Sequence, residues 1–227
     1  MKSKHPKNGL HAEYFESGQK CQEGYYKNGK LDGKVTRWYE SGQIEALGNH
    51  KDGKADGLFT VWHENGQKKE EGNYKNDKLY GKYTHWHENG QIKSEEYFKN
   101  DKFDDKSTKW YENGQKEQVG NYNDDKQNSK WTTWNENGKK YTEGKFKNGI
   151  ADGKWTQWHE NGQKYIEGNY KDDKQDGKWI SWHDNGQIKS EGRFRDGKED
   201  GLLTEWDENG QIKLSNWKDG ECISGDC

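Results

Sequence analysis

Trp62-His63-Glu64-Asn65-Gly66-Gln67 is a stretch that the chain repeats. It returns nearly unchanged at Trp86–Gln91, Trp158–Gln163 and Trp182–Gln187, and more loosely from Trp38, Trp110, Trp134 and Trp206. These eight tryptophans step by 24 residues without a slip, and Tyr14 holds the same slot one period earlier. A fixed period of this length marks a repeat architecture, in which each unit buries its apolar face only against its neighbours.

One unit runs from Gly33 to Asp56. A slot is the set of positions one period apart, numbered by its member in this unit. The unit holds two runs of strand length, each bounded by turn residues, and neither is long enough for a helix. Thr recurs in slot 36, with Ile180 as the exception, and Thr, Trp and Tyr suit a pleated surface. The first turn carries Asn-Gly, as at 65–66 and 161–162, or Ser-Gly at 17–18 and 41–42. Asn-Gly between strands predicts a two-residue type I′ turn, whose central residues both need positive φ. The second turn is looser. It is Asn28-Gly29, Asp52-Gly53, Asn148-Gly149 and Asp196-Gly197, and decays to Asn76-Asp77, Asn100-Asp101, Asp124-Asp125 and Asp172-Asp173. Two turns per unit predict an all-β, continuous antiparallel meander of about nine hairpin repeats.

A two-residue first turn would set 38 opposite 45, 36 opposite 47 and 35 opposite 48. Alternation then puts Trp38, Thr36 and the Glu-rich slot 47 on one face, and slots 35, 37, 39, 46, 48 and 50 on the other. Slot 48 is mostly Gly and slot 50 mostly aromatic. Slot 35 runs Val35, Phe59, Tyr83, Ser107 and then Trp131, Trp155 and Trp179. Glu96 replaces the slot-48 glycine, and Asp105 and Ser129 replace that of slot 33, so irregular geometry is expected there. One residue is missing before Trp217. The organisation read from this is a polar leader at 1–7, a repeat array at 8–220 and a cap or tail at 221–227.

Composition supports a folded protein built on aromatic rather than aliphatic packing. Among 227 residues, Val 3, Ile 8, Leu 8 and Phe 6 are few, yet Trp 12 and Tyr 13 with a net charge of −3 oppose disorder. Lys and Glu alternate in every repeat, so no basic stripe announces nucleic acid. Met1–Pro6 has no apolar signal region, and no apolar run reaches membrane-spanning length. A cytoplasmic setting is expected, although a processed secreted form would read the same. Cys21, Cys222 and Cys227 form neither a disulfide framework nor a zinc pattern.

The unit Glu71-Gly72-Asn73-Tyr74-Lys75-Asn76, then Gly81-Lys82-Tyr83-Thr84-His85-Trp86 and Asn89-Gly90-Gln91, resembles the MORN repeat in the bacterial variant of YwqK-type proteins. The likeness spans roughly residues 8–220. It implies an elongated single-layer sheet of hairpins and a binding role toward protein partners or, in some members, membrane lipid. By naming alone it also implies an antitoxin or immunity role. Leucine-rich repeats need Leu ladders that this protein lacks. Cell-wall-binding aromatic hairpins usually belong to exported proteins.

No chemistry-bearing motif stands apart from the repeats. His63, His87, His159 and His183 share slot 39, and ladder neighbours two strands apart are ~9–10 Å from each other, too far for one zinc ion. They read as solvated histidines at the sheet margin. The acidic turns lack the terminal bidentate Glu of a calcium loop and read as turn residues. No nucleophile elbow, phosphate loop or dinucleotide fingerprint occurs, and no cofactor is expected. The slot-38 tryptophans suit packing between hairpins under Lys and Glu stems, with ring stacking on sugars or bases as the other use.

The expected function is a non-enzymatic protein-binding scaffold. Its contact strip would be Trp131, Trp155 and Trp179 with Phe146, Tyr170 and Phe194, since uncovered apolar surface marks interaction sites. The other reading of the three tryptophans is that they cover Gly144, Gly168 and Gly192 or their neighbours. Slot 37, including Gln157 and Ser181, varies enough to encode specificity. A peripheral lipid binder and a glycan binder are the alternatives.

Overall fold

The structure is a computed structural model that describes residues 6–227. Most of the 1–7 leader, residues 1–5, lies outside the described residues. The protein is all β: among the described residues there are 21 strands in an antiparallel meander and no helix. Lys54–Ala55 with Gly57–Trp62, and Lys198–Glu199 with Gly201–Trp206, each share one partner strand. It forms two compact units, one ending at Gly114 and one starting at Gln115. In the first, hairpins run from Gly9–Tyr14 to Lys102–Trp110. In the second they run from Lys116–Asn123 to Glu221–Gly225.

The two turns of each repeat use opposite solutions, and the type I′ assignment belongs to the second turn. Both residues of that turn have positive φ: Asn28 51° and Gly29 76°, Asp52 52° and Gly53 84°, Asp172 50° and Asp173 62°. This twist matches that of the flanking strands. The Asp that replaces Gly there is not a decay of the motif. Asp77, Asp101 and Asp173 accept the backbone N–H of Ala55, Leu79 and Ala151 at 2.6, 2.7 and 2.6 Å, which offsets the cost of their φ.

The first turn is a three-residue loop. The Gly42 N–H donates to Tyr39 O at 2.9 Å, and Tyr39 N–H donates to Gln43 O at 2.8 Å. Only the glycine has positive φ, 86° at Gly42 and 84° at Gly66. This is a type I turn closed by a left-handed glycine. Asn65 is there for its side chain: Oδ1 accepts the Gln67 N–H at 2.9 Å.

The longer loop shifts the register. Val35 pairs with Gly48 and Thr36 with Leu47 as expected, but Trp38 pairs with Ile44, and residue 45 is a bulge. The residue missing before Trp217 is this bulge. In the last hairpin, pairing runs unbroken from Gly201↔Trp217 to Trp206↔Ile212. A second bulge follows the type I′ turn and needs positive φ in slot 33. The geometry persists where glycine is lost, with Asp105 at φ 86° and Ser129 at φ 64°.

The sheet goes on past the repeats. Strand Glu221–Gly225 pairs with Ile212–Lys218 and brings Cys222 to Cys227 as a disulfide, with Cα atoms 6.0 Å apart. The cysteine spacing indicates no such pair, because the fold-back that makes it lies outside the repeat.

The core sits on the slot-35 face. Each slot-35 ring lies flat on the slot-48 glycine of the preceding strand. A Cβ on Gly72, Gly144 or Gly168 would overlap the ring of Tyr83, Trp155 or Trp179. Slot-50 rings pack edge-on between them. Phe146–Trp155, Trp155–Tyr170, Tyr170–Trp179 and Trp179–Phe194 have centroids 5.9, 5.5, 5.1 and 6.4 Å apart. This is the edge-to-face geometry that aromatic quadrupoles favour.

Candidate functional site

The structure brings five of the anticipated contact residues into one edge-to-face row: Phe146, Trp155, Tyr170, Trp179 and Phe194. Trp131 joins Tyr122 in the same way, at 4.9 Å. Their accessibility differs from that of an open strip. Trp131 and Trp179 are each 4% exposed, while Trp155, Phe146, Tyr170, Phe194, Gln157 and Ser181 are half-buried. The slot-35 rings are therefore the packing core of the repeats. Gly opposite a large residue signals where the rings lie, but not how far they are buried, because that depends on slot-50 rings closing over them from both sides.

The opposite face is coated by charge. Glu143 accepts from Lys140 at 2.7 Å and pairs with Lys130 at 2.9 Å. Glu167 is held likewise by Lys164 at 2.8 Å and Lys154 at 3.2 Å. Burial pushes these carboxyls up, and the paired ammoniums more than offset it, so both sit below the usual range. The lysines also cover tryptophan: Lys140 lies 5.4 Å from the Trp158 ring centroid and Lys164 5.3 Å from that of Trp182. This is the shielded packing anticipated for slot 38.

Earlier hairpins lose parts of that coat, with Leu10 and Leu58 in slot 34, Ile44, Ile92 and Ile188 in slot 44 and Leu47 and Val119 in slot 47. Among the described residues, all three positions turn apolar together only in the Gly201–Trp206 and Ile212–Lys218 hairpin. Leu202 and Ile212 stand where Lys154 and Lys164 stand two repeats earlier. Leu214 pairs with Thr204, in the slot that holds Glu143, Glu167 and Glu191. Leu202, Ile212 and Leu214 are 53%, 60% and 47% exposed on one face. Beside them opens a groove of about 450 Å³ lined by His183, Trp206, Asp207 and Ile212, among others.

Slot 39 is a latch and not a solvated margin. His87, His159 and His183 place Nε2 at 3.0, 3.0 and 2.9 Å from the carbonyl oxygens of Trp110, Trp182 and Trp206, one repeat onward. A carbonyl only accepts, so Nε2 carries the proton. Tyr39 makes the same bond through its hydroxyl to Trp62 O at 2.7 Å. Beside it, Nδ2 of Asn65 and Asn89 donates to Glu88 O and Glu112 O, each at 3.0 Å. No group of three or more His, Cys, Asp or Glu side chains is placed to hold a metal ion among the described residues.

One polar cluster departs from the repeat. Glu96, in the glycine slot, is 7% exposed and faces Ser107, 1% exposed, where a ring normally sits. The carboxylate takes the space the ring gives up. Lys109 lies 3.8 Å from Glu96, and Tyr83 donates to Glu70 at 2.7 Å. Burial, then the Glu70 acceptor, raises the Tyr83 phenol far above its ordinary value. Burial lowers His85 in the same cluster, with Glu70 and Glu96 opposing. Tyr83 and Glu70 satisfy each other, whereas the buried Ser107 hydroxyl has no hydrogen-bond partner among the described residues. The sequence marks Glu96 as an exception, but not the small partner that makes room for it.

The sequence profile of the MORN repeat variant matches residues 7–28, 31–52, 55–76, 79–100, 106–124, 151–172, 175–196 and 199–219, well over half the protein. The chain belongs to the family of MORN repeat variant proteins. No curated protein matches its sequence. Among solved structures, it is similar to part of TcdB2-TccC3, at 13% identity and a TM-score of 0.24, covering 92% of this chain and 14% of that one. The TcdB2-TccC3-Cdc42 structure gives 12%, 0.23, 94% and 15% in the same order. The chain thus spans about a seventh of the first of these proteins. Likenesses this weak carry no functional argument.

Two outcomes follow. His159→Tyr keeps the latch, as Tyr39 does, and leaves stability near that of the parent, whereas His159→Ala lowers it by ~1 kcal/mol in urea denaturation. Equal loss in both would refute the latch. The second outcome concerns pH. Burial lowers both His50 and His85, so unfolding takes up protons. That stability is present above the unfolded histidine value, about 6.5, and falls as pH drops below it. A melting midpoint that declines from about pH 6.5 downward, less steeply in the His50→Gln/His85→Gln variant, checks this.

Proposed function

We propose that the protein is a non-enzymatic scaffold that holds a partner protein on the Trp–Lys face of its last hairpin. The observation that carries the reading is the replacement of the Lys–Glu–Lys coat by exposed Leu202, Ile212 and Leu214 beside a groove. Contiguous uncovered apolar surface is where association gains most from leaving water. The half-buried tryptophan Trp206 in that groove is a suitable anchor. The family's association with binding supports the same reading. An anionic membrane is the weaker alternative, because the lysines of this face are largely paired with glutamate. An antitoxin or immunity protein would be the case in which the partner is a toxin. That specialisation rests on the YwqK-type resemblance alone, and a cytoplasmic setting on the sequence reading alone.

The test restores the missing coat. Leu202→Lys, Ile212→Lys and Leu214→Glu together recreate the pattern of Lys154, Lys164 and Glu167. Cross-linking and capture from the native host should recover a partner with the parent protein and lose it with this variant, at an unchanged melting temperature. Trp155→Ala should instead lower stability by ~3–5 kcal/mol, the cost of emptying an aromatic site in a core. Capture that persists in the coated variant would place the contact elsewhere.

A further inference from the structure

Ten Asn-Gly pairs lie in the sequence. Such a pair is chemically fragile, because glycine lets its backbone nitrogen approach the asparagine side chain. The nitrogen, deprotonated, attacks Cγ. A bond forms between them, the bond from Cγ to the amide nitrogen Nδ2 breaks, and ammonia leaves with the proton it gains. Water then opens the succinimide at either carbonyl, giving aspartate or isoaspartate. The net change is one water in and one ammonia out, with no oxidant or enzyme.

The fold guards five of these pairs in two ways. Asn28 and Asn148 sit at φ 51° and 54°. In the left-handed region, with ψ near +47°, the following nitrogen points to the far side of Cα from Cβ and cannot reach Cγ. In the first turns the carboxamide itself is held. Asn65, Asn89 and Asn161 each accept the N–H two residues on, at 2.9, 2.9 and 2.8 Å. Each also donates to a carbonyl of the following hairpin, at 3.0, 3.0 and 2.6 Å. The glycine nitrogen does not distinguish these sites. It donates into the turn at 2.9 Å in Gly66 and Gly162 and at 3.0 Å in Gly210.

Asn209 lacks the guard. Asp207 occupies slot 39, and its Oδ1 accepts both the Asn209 N–H at 2.9 Å and the Gln211 N–H at 2.8 Å. The bond that an asparagine side chain accepts elsewhere is taken by aspartate. The Asn209 carboxamide is exposed and without a hydrogen bond among the described residues. We propose that Asn209 is a site of spontaneous hydrolytic deamidation in the folded protein, while Asn65, Asn89 and Asn161 are protected. The product adds a carboxylate next to Asp207 and Glu208, at the margin of the exposed last-hairpin face.

The test is incubation of the full-length protein in mildly alkaline buffer, followed by peptide mapping for the amide-to-acid mass gain and for isoaspartate. Asn209 should convert about tenfold faster than Asn65, Asn89 or Asn161, as expected when two hydrogen bonds must break at the slower sites. In denaturant the four rates should converge. Equal rates in the folded protein would overturn the proposal, as would an Asn209 excess that persists after unfolding. Asp207→Ala frees the Gln211 N–H for the Asn209 carboxamide and should slow conversion; an unchanged rate in that variant would also count against it.

Discussion

A ring lying on a glycine is the constraint on which the rest of the structure depends. A sheet with few aliphatic side chains needs another way to bury apolar area. Here the slot-48 glycine removes a Cβ so that a Tyr, Phe or Trp can lie against backbone. Each aromatic buries ~150–250 Å² when covered. The slot-50 rings close the row from either side, edge against face. Even the exception obeys the rule. Where Glu96 supplies a side chain in the glycine slot, the facing residue shrinks to Ser107.

Repeats also need ties that fix one hairpin to the next, and these lie at the turns. Histidine or tyrosine reaches a carbonyl one repeat onward, and asparagine does the same beside it. Lysine over tryptophan supplies a third tie on the other face. All are nearest-neighbour interactions, so stability in each unit is a sum of local terms. The last hairpin keeps its ladder, lacks the bulge and exchanges the charged coat for leucine and isoleucine. Its chemistry differs from that of the hairpins before it because all three coat positions are apolar at once, whereas Leu58 or Ile188 stands there beside a lysine and a glutamate that remain.

Much of this is legible in the sequence. Period, strand length and turn residues point to the all-β meander, and Gly opposite a large residue locates the ring row. Turn type is not legible, because Asn-Gly serves two geometries. In one, asparagine supplies positive φ; in the other it supplies a side-chain acceptor while glycine alone turns left-handed. The one-residue shift of Trp38 follows from the same ambiguity. The histidine latch is hidden because its partner is the main-chain carbonyl of Trp182, distant in sequence from His159. The contact strip is misjudged in accessibility: pattern tells which face a tryptophan takes, not how completely its neighbours cover it. Trp179, at 4% exposure, shows the difference.

If the glycine exists for the ring, the two must be energetically coupled. A double-mutant cycle on Gly144 and Trp155 measures that coupling most directly. Gly144→Ala in the parent should destabilise by ~2 kcal/mol or more, since the added methyl meets an occupied space. In a Trp155→Ala background the same change should cost close to nothing, or stabilise the strand by reducing the entropy of the unfolded state. An equal cost of Gly144→Ala in both backgrounds would mean that the glycine answers to its own backbone rather than to the ring, and would contradict the account.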